Sequence, residues 1–226
     1  MVYITGDTHR NFDRIFDMSW YFEENDVIVI LGDAGINYSG NPDDYNLKRD
    51  LSELSVVLFC IHGNHEMRPE SISTYEQIEH FGGTVYWEPE FPNLLFAKCG
   101  EIYWLDGKSC IAIGGANSVD KAQRIPGVNW WDDEQPSEEI KQLVEERLHI
   151  ENWRVDAVFS HTCPYKYLNS LNLQTGSEDV HIDNSTEMWL DSIDDRLDYG
   201  AWYCGHFHTD ETIDNIRFFY NEFDEL

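Results

Sequence analysis

Basic side chains are scarce in this chain of 226 residues, which has 15 Lys and Arg against 43 Asp and Glu and a formal net charge of -28. A field of this sign repels long polyanions, so we do not expect a nonspecific groove for long nucleic acid. The acidity can equally serve solubility alone. Bound divalent cations would reverse the field locally, which leaves a small phosphorylated molecule or a nucleotide as a suitable partner.

Long apolar segments are also absent. No stretch approaches the ~20 apolar residues that a membrane span requires. The chain begins Met-Val-Tyr-Ile-Thr, without the basic and apolar regions of a secretory signal. We therefore expect a cytoplasmic protein with no membrane segment. The five cysteines include no Cys-x-x-Cys pair, and Cys60 and Cys204 lie in apolar runs. Such cysteines are expected to be buried, reduced thiols.

No repeat, low-complexity tract or linker divides the sequence, which predicts a single domain over residues 1–226. Continuous apolar runs predict buried strands at residues 2–5, 26–31, 56–61, 155–160 and 201–204. Asp106-Gly107, between two further apolar segments, predicts a type I′ hairpin. Helical patterns alternate with the strands, so we expect an α/β domain with parallel and antiparallel strands. Irregular loop insertions are predicted near residues 115–136 and 163–185.

Two helix starts can be predicted from the sequence. Ser137 is a predicted N-cap for a long helix. Asn11 is a predicted N-cap for a helix after the first strand, with one apolar face made of Phe12, Ile15, Phe16 and Trp20.

Five polar motifs each follow an apolar strand, and their polar residues are typical metal ligands. The motifs are Asp7-Thr8-His9, Gly32-Asp33, Gly63-Asn64-His65-Glu66, Ser160-His161-Thr162 and Gly205-His206-Phe207-His208. Open α/β sheets place ligands at the carboxyl ends of their strands, so we expect these side chains to converge. Mixed oxygen and imidazole donors suit manganese, iron or zinc, whereas calcium or magnesium would favour oxygen alone. The supply of donors exceeds the need of one ion and suits two.

Some motifs have ordinary explanations when taken singly. Asp7-x-His9 can be a capped turn, and Gly32-Asp33 can be a simple strand exit. An Asn64-His65 pair after an apolar strand has no common packing role. His206 and His208 lie on the same side of an extended segment and can reach one site. The joint occurrence of all five motifs therefore favours a metal centre.

The order of these motifs resembles that of the calcineurin-like metallophosphoesterase family, from Asp7 to His208. The resemblance implies a four-layer α/β/β/α sandwich of two mixed sheets, with a dinuclear metal centre at the strand ends. It also implies which residues would bind each ion. Asp7, His9 and His208 would bind the first ion, Asn64, His161 and His206 the second, and Asp33 would bridge both. Two divalent ions, with manganese favoured over iron or zinc, are the expected cofactors.

The resemblance further implies Asp33 and His65 as catalytic residues. A bridging carboxylate holds two cations ~3.5–4 Å apart, so that a hydroxide shared by them can attack phosphorus in line. His65, which stays off the metals, would act as the general acid that protonates the leaving oxygen. The sequence does not identify the acidic residue that would orient His65, and Asp43 and Asp44 are the candidates. The mechanism requires no serine or cysteine nucleophile.

The residues that would contact substrate depart from the pattern of the related protein phosphatases. Their arginine before Gly-Asn-His-Glu is His62 here, and their Asp-Arg-Gly run after the second motif is missing. Arg10 stands where a glycine commonly follows Asp-x-His. The candidate phosphate contacts are therefore Arg10, His62, Arg68 and Arg124, since an arginine can bind phosphate with two parallel hydrogen bonds.

The leading functional hypothesis is a metal-dependent phosphoesterase that acts on a small phosphorylated molecule or a nucleotide. Phosphoprotein phosphatase, nuclease and cyclic-nucleotide phosphodiesterase are alternative enzymes with the same centre. A non-catalytic scaffold of the same fold is a further alternative, which the retention of all the expected ligands and of His65 disfavours.

Overall fold

The computed structural model describes residues 1–38, Gly40, and residues 42–171 and 182–226. Within these ranges the chain forms five helices: α1 (Asp13–Asp17), α2 (Pro42–Leu51), α3 (Glu138–Ile150), α4 (Tyr165–Leu168) and α5 (Ser185–Asp194). The strands of the same ranges are β1 (Val2–Thr5), β2 (Val27–Ile30), β3 (Val57–Cys60), β4 (Glu76–His80), β5 (Gly83–Trp87), β6 (Leu94–Ala97), β7 (Ile102–Leu105), β8 (Lys108–Ile113), β9 (Arg154–Ser160), β10 (Asp198–Cys204), β11 (Glu211–Ile213), β12 (Ile216–Phe218) and β13 (Phe223–Glu225).

The strands form two mixed sheets. The first has the order β13-β1-β2-β3-β6-β5-β4, and its central strands β1, β2, β3 and β6 are parallel. The second has the order β11-β12-β10-β9-β8-β7, with β8, β9, β10 and β12 parallel. Parallel strands need cover on both faces, and β2 accordingly consists of four apolar residues that are all buried.

Three apolar clusters separate four layers of structure. The first lies between the sheets and includes Phe59 of β3 and Phe159 of β9. The second packs α1 and α2 against the first sheet, with Ile15 and Leu51 in contact with its outer face. The third packs α3 and α5 against the second sheet. The expected α/β/β/α sandwich of two mixed sheets is therefore confirmed.

Local predictions agree with the structure except in the first helix. Asp106 and Gly107 have φ of 46° and 76°, as a type I′ turn between β7 and β8 requires. The Ser137 hydroxyl accepts a hydrogen bond from the Ile140 amide at 3.3 Å and so caps α3. The helix predicted after the first strand is present but shorter than expected: α1 ends at Asp17 and leaves the Trp20 side chain 83% exposed beyond its end, and the N-cap position is Phe12 instead of Asn11.

The two predicted insertions differ in how much of them is described. Residues 115–136, the middle loop, have one 3₁₀ turn at Lys121–Gln123 and one isolated β-bridge between Pro126 and Trp130, and are otherwise irregular. Residues 163–185 contain α4 and the start of α5, while 172–181 of that predicted insertion lie outside the described residues.

The fold bears on two further expectations. All five cysteines are free thiols, and Cys60 and Cys204 are fully buried. Of the helices in the described part of the chain, none combines the length and the apolar character needed to cross a membrane.

Candidate metal centre

The five motifs meet where the two sheets face each other. Asp7, Asp33 and Asn64 follow the neighbouring parallel strands β1, β2 and β3, whereas His161 and His206 follow the neighbouring parallel strands β9 and β10. Contacts across the sheets join the two groups. The Asp7 Oδ1 atom accepts a hydrogen bond from the His206 amide at 2.9 Å, and His161 Nε2 lies 3.5 Å from Asp33 Oδ2.

Asp33 lies at the middle of this arrangement and is 1% exposed. Its Oδ1 atom accepts a hydrogen bond from the His65 amide at 2.7 Å. Its Oδ2 atom lies 3.5 Å from His161 Nε2 and 3.9 Å from the Nε2 atoms of His9 and His65. One carboxylate oxygen thus faces imidazoles from three motifs, which is the position that a bridging ligand would need.

Asp7 offers an oxygen that its neighbours leave unsatisfied. The Asp7 Oδ2 atom is buried and has no hydrogen-bond partner, although His208 Nε2 is 3.3 Å away and His9 Nε2 is 3.6 Å away. An unpaired buried polar atom costs about 1–3 kcal/mol, and more when it is charged. Ligand atoms of Asp7, His9 and His208 all lie within 4.8 Å of one another. These three residues fit a cation, which would compensate the orphaned oxygen.

A second group consists of Asp7, Asp33 and His161, whose ligand atoms also lie within 4.8 Å of one another. The His161 Nδ1 atom faces the Leu31 carbonyl at 2.8 Å and donates to it, since a carbonyl only accepts. The His161 Nε2 atom then faces Asn64 Oδ1 at 2.8 Å. A neutral imidazole and an amide oxygen would present two lone pairs to each other, so the contact requires a proton or a metal ion between them.

Asn64 is oriented by a residue of the middle loop. The Asn64 Nδ2 atom donates a hydrogen bond to Ser118 Oγ at 2.9 Å, which directs the Oδ1 atom to His161. Supporting contacts of this kind hold ligands in position at metal sites. The sequence held no signal for Ser118, because it lies 54 residues from Asn64 and belongs to none of the motifs.

His206 lies beside His161, with ring centroids 4.9 Å apart. Burial and the neighbouring His161 lower the pKa of His206 to about 3, so its imidazole is neutral at physiological pH. The neutral form is the one that binds metals. His206 belongs to neither of the two ligand groups above, so its ring is near the centre without being among the converging donor atoms.

The ionised carboxylates depend on the imidazoles around them. Burial opposes charge on Asp33 and on Asp7, but His161 and the other histidines outweigh it and hold both pKa values well below the usual range. Burial likewise opposes charge on His161, and Asp33 and Asp7 outweigh it and raise the pKa of His161 to about 9. The centre is therefore a set of anionic oxygens that attracts positive charge.

The backbone around the centre is strained and crowded. His9, Asp33, His206 and His208 all have positive φ, between 45° and 67°. Such conformations cost non-glycine residues of order 1 kcal/mol or more and cluster at functional sites. Two motif glycines leave room for carboxylates, since a Cβ on Gly63 would lie 2.0 Å from Asp33 Oδ1 and one on Gly205 would lie 2.2 Å from Asp7 Oδ1. The glycines of these motifs are therefore required by the neighbouring ligands.

His65 lies at the edge of the centre, with 20% of its side chain exposed. Its Nε2 atom is 3.4 Å from Nη2 of Arg124, which comes from the middle loop. Burial lowers the pKa of His65, Asp33 opposes this effect, and Arg124 adds to it. Of the four predicted phosphate contacts, Arg124 is the one whose recorded contacts reach this edge.

The other three predicted phosphate contacts have partners or surroundings elsewhere. Arg10 donates to the carboxylate of Asp44 and to the Gly35 carbonyl. Arg68 is 4% exposed and donates to the Asp133 carbonyl at 2.7 Å. His62 is 5% exposed, and neither of its ring nitrogens has a hydrogen-bond partner. Burial argues against substrate contact for Arg68 and His62, and the contacts described for Arg10 lead to Asp44 and Gly35.

Of the two candidate acids for orienting His65, Asp44 accepts hydrogen bonds from Arg10 and from the Gly40 amide. The acid nearest to His65 is Asp33, whose Oδ2 atom lies 3.9 Å from its Nε2 atom. Asp120 reaches His65 only through Arg124. Sequence reasoning also missed Tyr220, whose ring stacks on His208 with centroids 4.5 Å apart and planes 18° apart.

Comparison with known proteins agrees with this fold. The model of the calcineurin-like phosphoesterase family matches residues 1–210. The chain belongs to the calcineurin-like phosphoesterase family. Membership implies a metal-dependent phosphoester hydrolase, and the family typically depends on two metal ions.

Individual relatives are distant. No curated protein matches the chain. One solved crystal structure is 15% identical with a TM-score of 0.51, and the match covers 96% of this chain and 88% of the other. A protein of unknown function from Aquifex aeolicus is also 15% identical, with a TM-score of 0.38 over 88% of this chain and 87% of the other. At this level of identity the first structure supports the shared fold alone.

Proposed function

We propose that this protein hydrolyses a phosphate ester of a small molecule or a nucleotide with two divalent metal ions. Asp7, His9 and His208 would hold one ion, and Asn64, His161 and His206 would hold the other. Asp33 would bridge both. The observation that carries this assignment is the Asp33 Oδ2 atom, which lies within 3.9 Å of imidazole nitrogens from three motifs. Manganese suits this mixture of oxygen and imidazole donors, with iron and zinc as alternatives.

The metals and the protein would have separate tasks. When bound, the two ions would lower the pKa of a water molecule and polarise the oxygens of the phosphoryl group. The protein would keep the carboxylates of Asp7 and Asp33 ionised, as their lowered pKa values favour. Water would attack phosphorus in line with the departing oxygen, which needs no covalent intermediate with the chain.

His65 would be the general acid. It lies 3.9 Å from Asp33 Oδ2, close to the centre but partly open to solvent. A leaving alkoxide requires a proton, and a positioned imidazole can supply it with a rate gain of roughly 10²–10⁴. Burial and Arg124 favour neutral His65 in the free protein. An arriving phosphate adds negative charge beside the ring and so favours the protonated form that an acid needs.

The charge of the chain supports a small substrate. A net charge of -28 opposes a long polyanion at distances beyond the metals. A compact phosphate ester, in contrast, meets the local field of two divalent ions and of Arg124. We therefore propose phosphorylated metabolites or mononucleotides as the substrate class.

The test is hydrolysis of a chromogenic phosphomonoester and of a chromogenic phosphodiester by protein loaded with Mn²⁺, with metal content measured in the same samples. We expect turnover of at least one ester, about two Mn²⁺ per chain, and loss of turnover on chelation. Protein that binds two metal ions and hydrolyses neither ester, nor any member of a metabolite library, would support the scaffold alternative instead.

A further inference from the structure

Hydrogen bonds join both ends of the middle loop to residues 62–68, the segment that contains Asn64 and His65. The Gly115 amide donates to the His62 carbonyl at 2.8 Å, and Ser118 Oγ accepts from Asn64. At the far end, Arg68 Nε donates to the Asp133 carbonyl at 2.7 Å. These bonds fix the loop relative to the motif that contains Asn64 and His65. A side chain on this loop therefore has a defined position with respect to the centre.

Arg124 is the side chain of the middle loop that reaches His65, and its guanidinium is held from two sides. Nε and Nη2 of Arg124 donate to the two oxygens of Asp120 at 2.6 Å and 2.7 Å. Nη1 donates to the Asn129 carbonyl at 2.9 Å. The side chain is only 16% exposed. Asp120 thus binds one edge of the guanidinium in a fork and directs the opposite edge away from itself.

Of the N–H groups left over, the one on Nη2 faces His65. A guanidinium has five N–H donors, and the described residues engage three of them at normal hydrogen-bond distances. One remains on each of Nη1 and Nη2, and Nη2 lies 3.4 Å from His65 Nε2. His65 in turn is 3.9 Å from Asp33 Oδ2. A phosphate bound beside Asp33 and His65 would therefore arrive next to Nη2 of Arg124.

Building on the proposed function, we infer that Arg124 binds the phosphoryl oxygens of the substrate. Asp120 is the positioning residue that orients the Arg124 guanidinium. Two parallel N–H groups on one edge match two oxygens of a phosphate. Because Asp120 and Asn129 already immobilise the guanidinium, binding loses little side-chain freedom. In the alternative, the Asp120–Arg124 pair only stabilises the loop. Substitution of either residue would then leave the affinity for phosphate unchanged.

The experiment measures the affinity of Mn²⁺-loaded protein for inorganic phosphate by calorimetry, and kcat and KM for a chromogenic phosphomonoester. Arg124→Lys keeps the charge and removes the fork, and we expect about 10- to 100-fold weaker phosphate binding with unchanged Mn²⁺ content. Asp120→Asn removes the carboxylate that orients Arg124, and we expect about 3- to 10-fold weaker phosphate binding. Asp120→Glu should restore part of that loss, because it restores the carboxylate.

A combined variant tests whether Asp120 acts through Arg124. We expect Asp120→Asn to have no further effect on phosphate affinity in the Arg124→Lys background. The exposed pair Arg154 and Asp198, whose side chains are 78% and 76% exposed, gives matched controls. Arg154→Lys and Asp198→Asn should leave phosphate affinity and turnover unchanged.

The outcomes separate this inference from the proposed function. If the wild type is active but Arg124→Lys binds phosphate normally, the inference fails and the proposed function stands. Additive losses in the combined variant would overturn the positioning role of Asp120. Wild-type protein that binds Mn²⁺ but neither binds phosphate nor hydrolyses any ester would overturn both.

Discussion

His161 Nε2 lies 3.5 Å from Asp33 Oδ2, and this contact joins the second sheet to the first. Asp33 follows β2 and His161 follows β9, so neither sheet alone contains the centre. Phe59 and Phe159 pack in the apolar cluster between the sheets. An ion held by residues of both sheets should therefore stabilise the folded chain.

The main effect expected of Asp33→Asn is a lower affinity for metal ions. The substitution keeps the shape of the side chain but removes the charge from the oxygen that faces three imidazoles. We expect a loss of Mn²⁺ affinity greater than the about 10- to 100-fold typical for residues that merely support a ligand. Calorimetric titration of metal-free protein measures this loss. Asp198→Asn, at an exposed strand position, is the matched control, and unchanged metal content in Asp33→Asn would refute the bridging role.

His65→Ala should separate metal binding from turnover. His65 is not among the proposed ligands, so both ions should remain bound. Turnover should fall by roughly 10²–10⁴, the contribution typical of a general acid. Metal analysis and kcat on the same preparation measure the two effects. A variant that loses metal together with activity would assign His65 to the ligands instead.

Much of the centre could be predicted from the sequence because its ligands follow uninterrupted apolar strands. The helix after β1 was predicted too long, since Phe16 and Trp20 match a helical period although their side chains are 40% and 83% exposed. β4 escaped prediction because Glu76–His80 is a largely polar edge strand without apolar alternation.

Supporting and substrate residues were less predictable than the ligands. Arg10 is next to His9 in sequence, yet its φ of 70° belongs to a turn from which its side chain reaches Asp44. Ser118, Asp120 and Tyr220 come from loops, where no periodic pattern indicates which side chain faces the centre. A position at the end of an apolar strand therefore indicates which side chains converge, but not which loop residues lie beside them.

Gly63→Ala should damage the centre through a steric clash. An added Cβ would lie 2.0 Å from Asp33 Oδ1 and 2.2 Å from the Asp33 amide nitrogen, so the backbone of one motif must shift. We expect a loss of about 1–3 kcal/mol in the free energy of unfolding, together with weaker Mn²⁺ binding. Denaturant titration and calorimetry measure both.

A second glycine provides the control for that experiment. An added Cβ on Gly107 would meet nothing within 4 Å, although its φ of 76° disfavours any side chain. Gly107→Ala should therefore cost about 1 kcal/mol from backbone strain alone and leave metal affinity intact. Equal effects of the two substitutions on metal binding would contradict the role of Gly63 as a space for Asp33.

Tyr220→Leu should weaken one metal site through the orientation of His208. The two rings stack with centroids 4.5 Å apart, and the Tyr220 amide is held by Asp210 Oδ1 at 2.7 Å. A support of this kind is worth about 10- to 100-fold in metal affinity. Because His208 belongs to the group with Asp7 and His9, only one of the two phases of a two-site titration should change. Tyr45→Leu, on an exposed face of α2, is the control. An unchanged titration of Tyr220→Leu would show that the stack of Tyr220 on His208 contributes to packing and not to metal binding.

Metal removal should destabilise the wild type but not Asp33→Asn. Ions that bind only the folded chain stabilise it by about 2.7 kcal/mol when the free concentration is 100 times the dissociation constant. In their absence the buried Asp7 Oδ2 atom has no hydrogen-bond partner, so the metal-free protein retains that cost. The melting temperature with and without Mn²⁺, followed by circular dichroism, measures the difference. Because Asp33→Asn lacks the charge that joins both ions, its melting temperature should change little on addition of Mn²⁺. A shift as large as that of the wild type would show that Asp33 is not needed for metal binding.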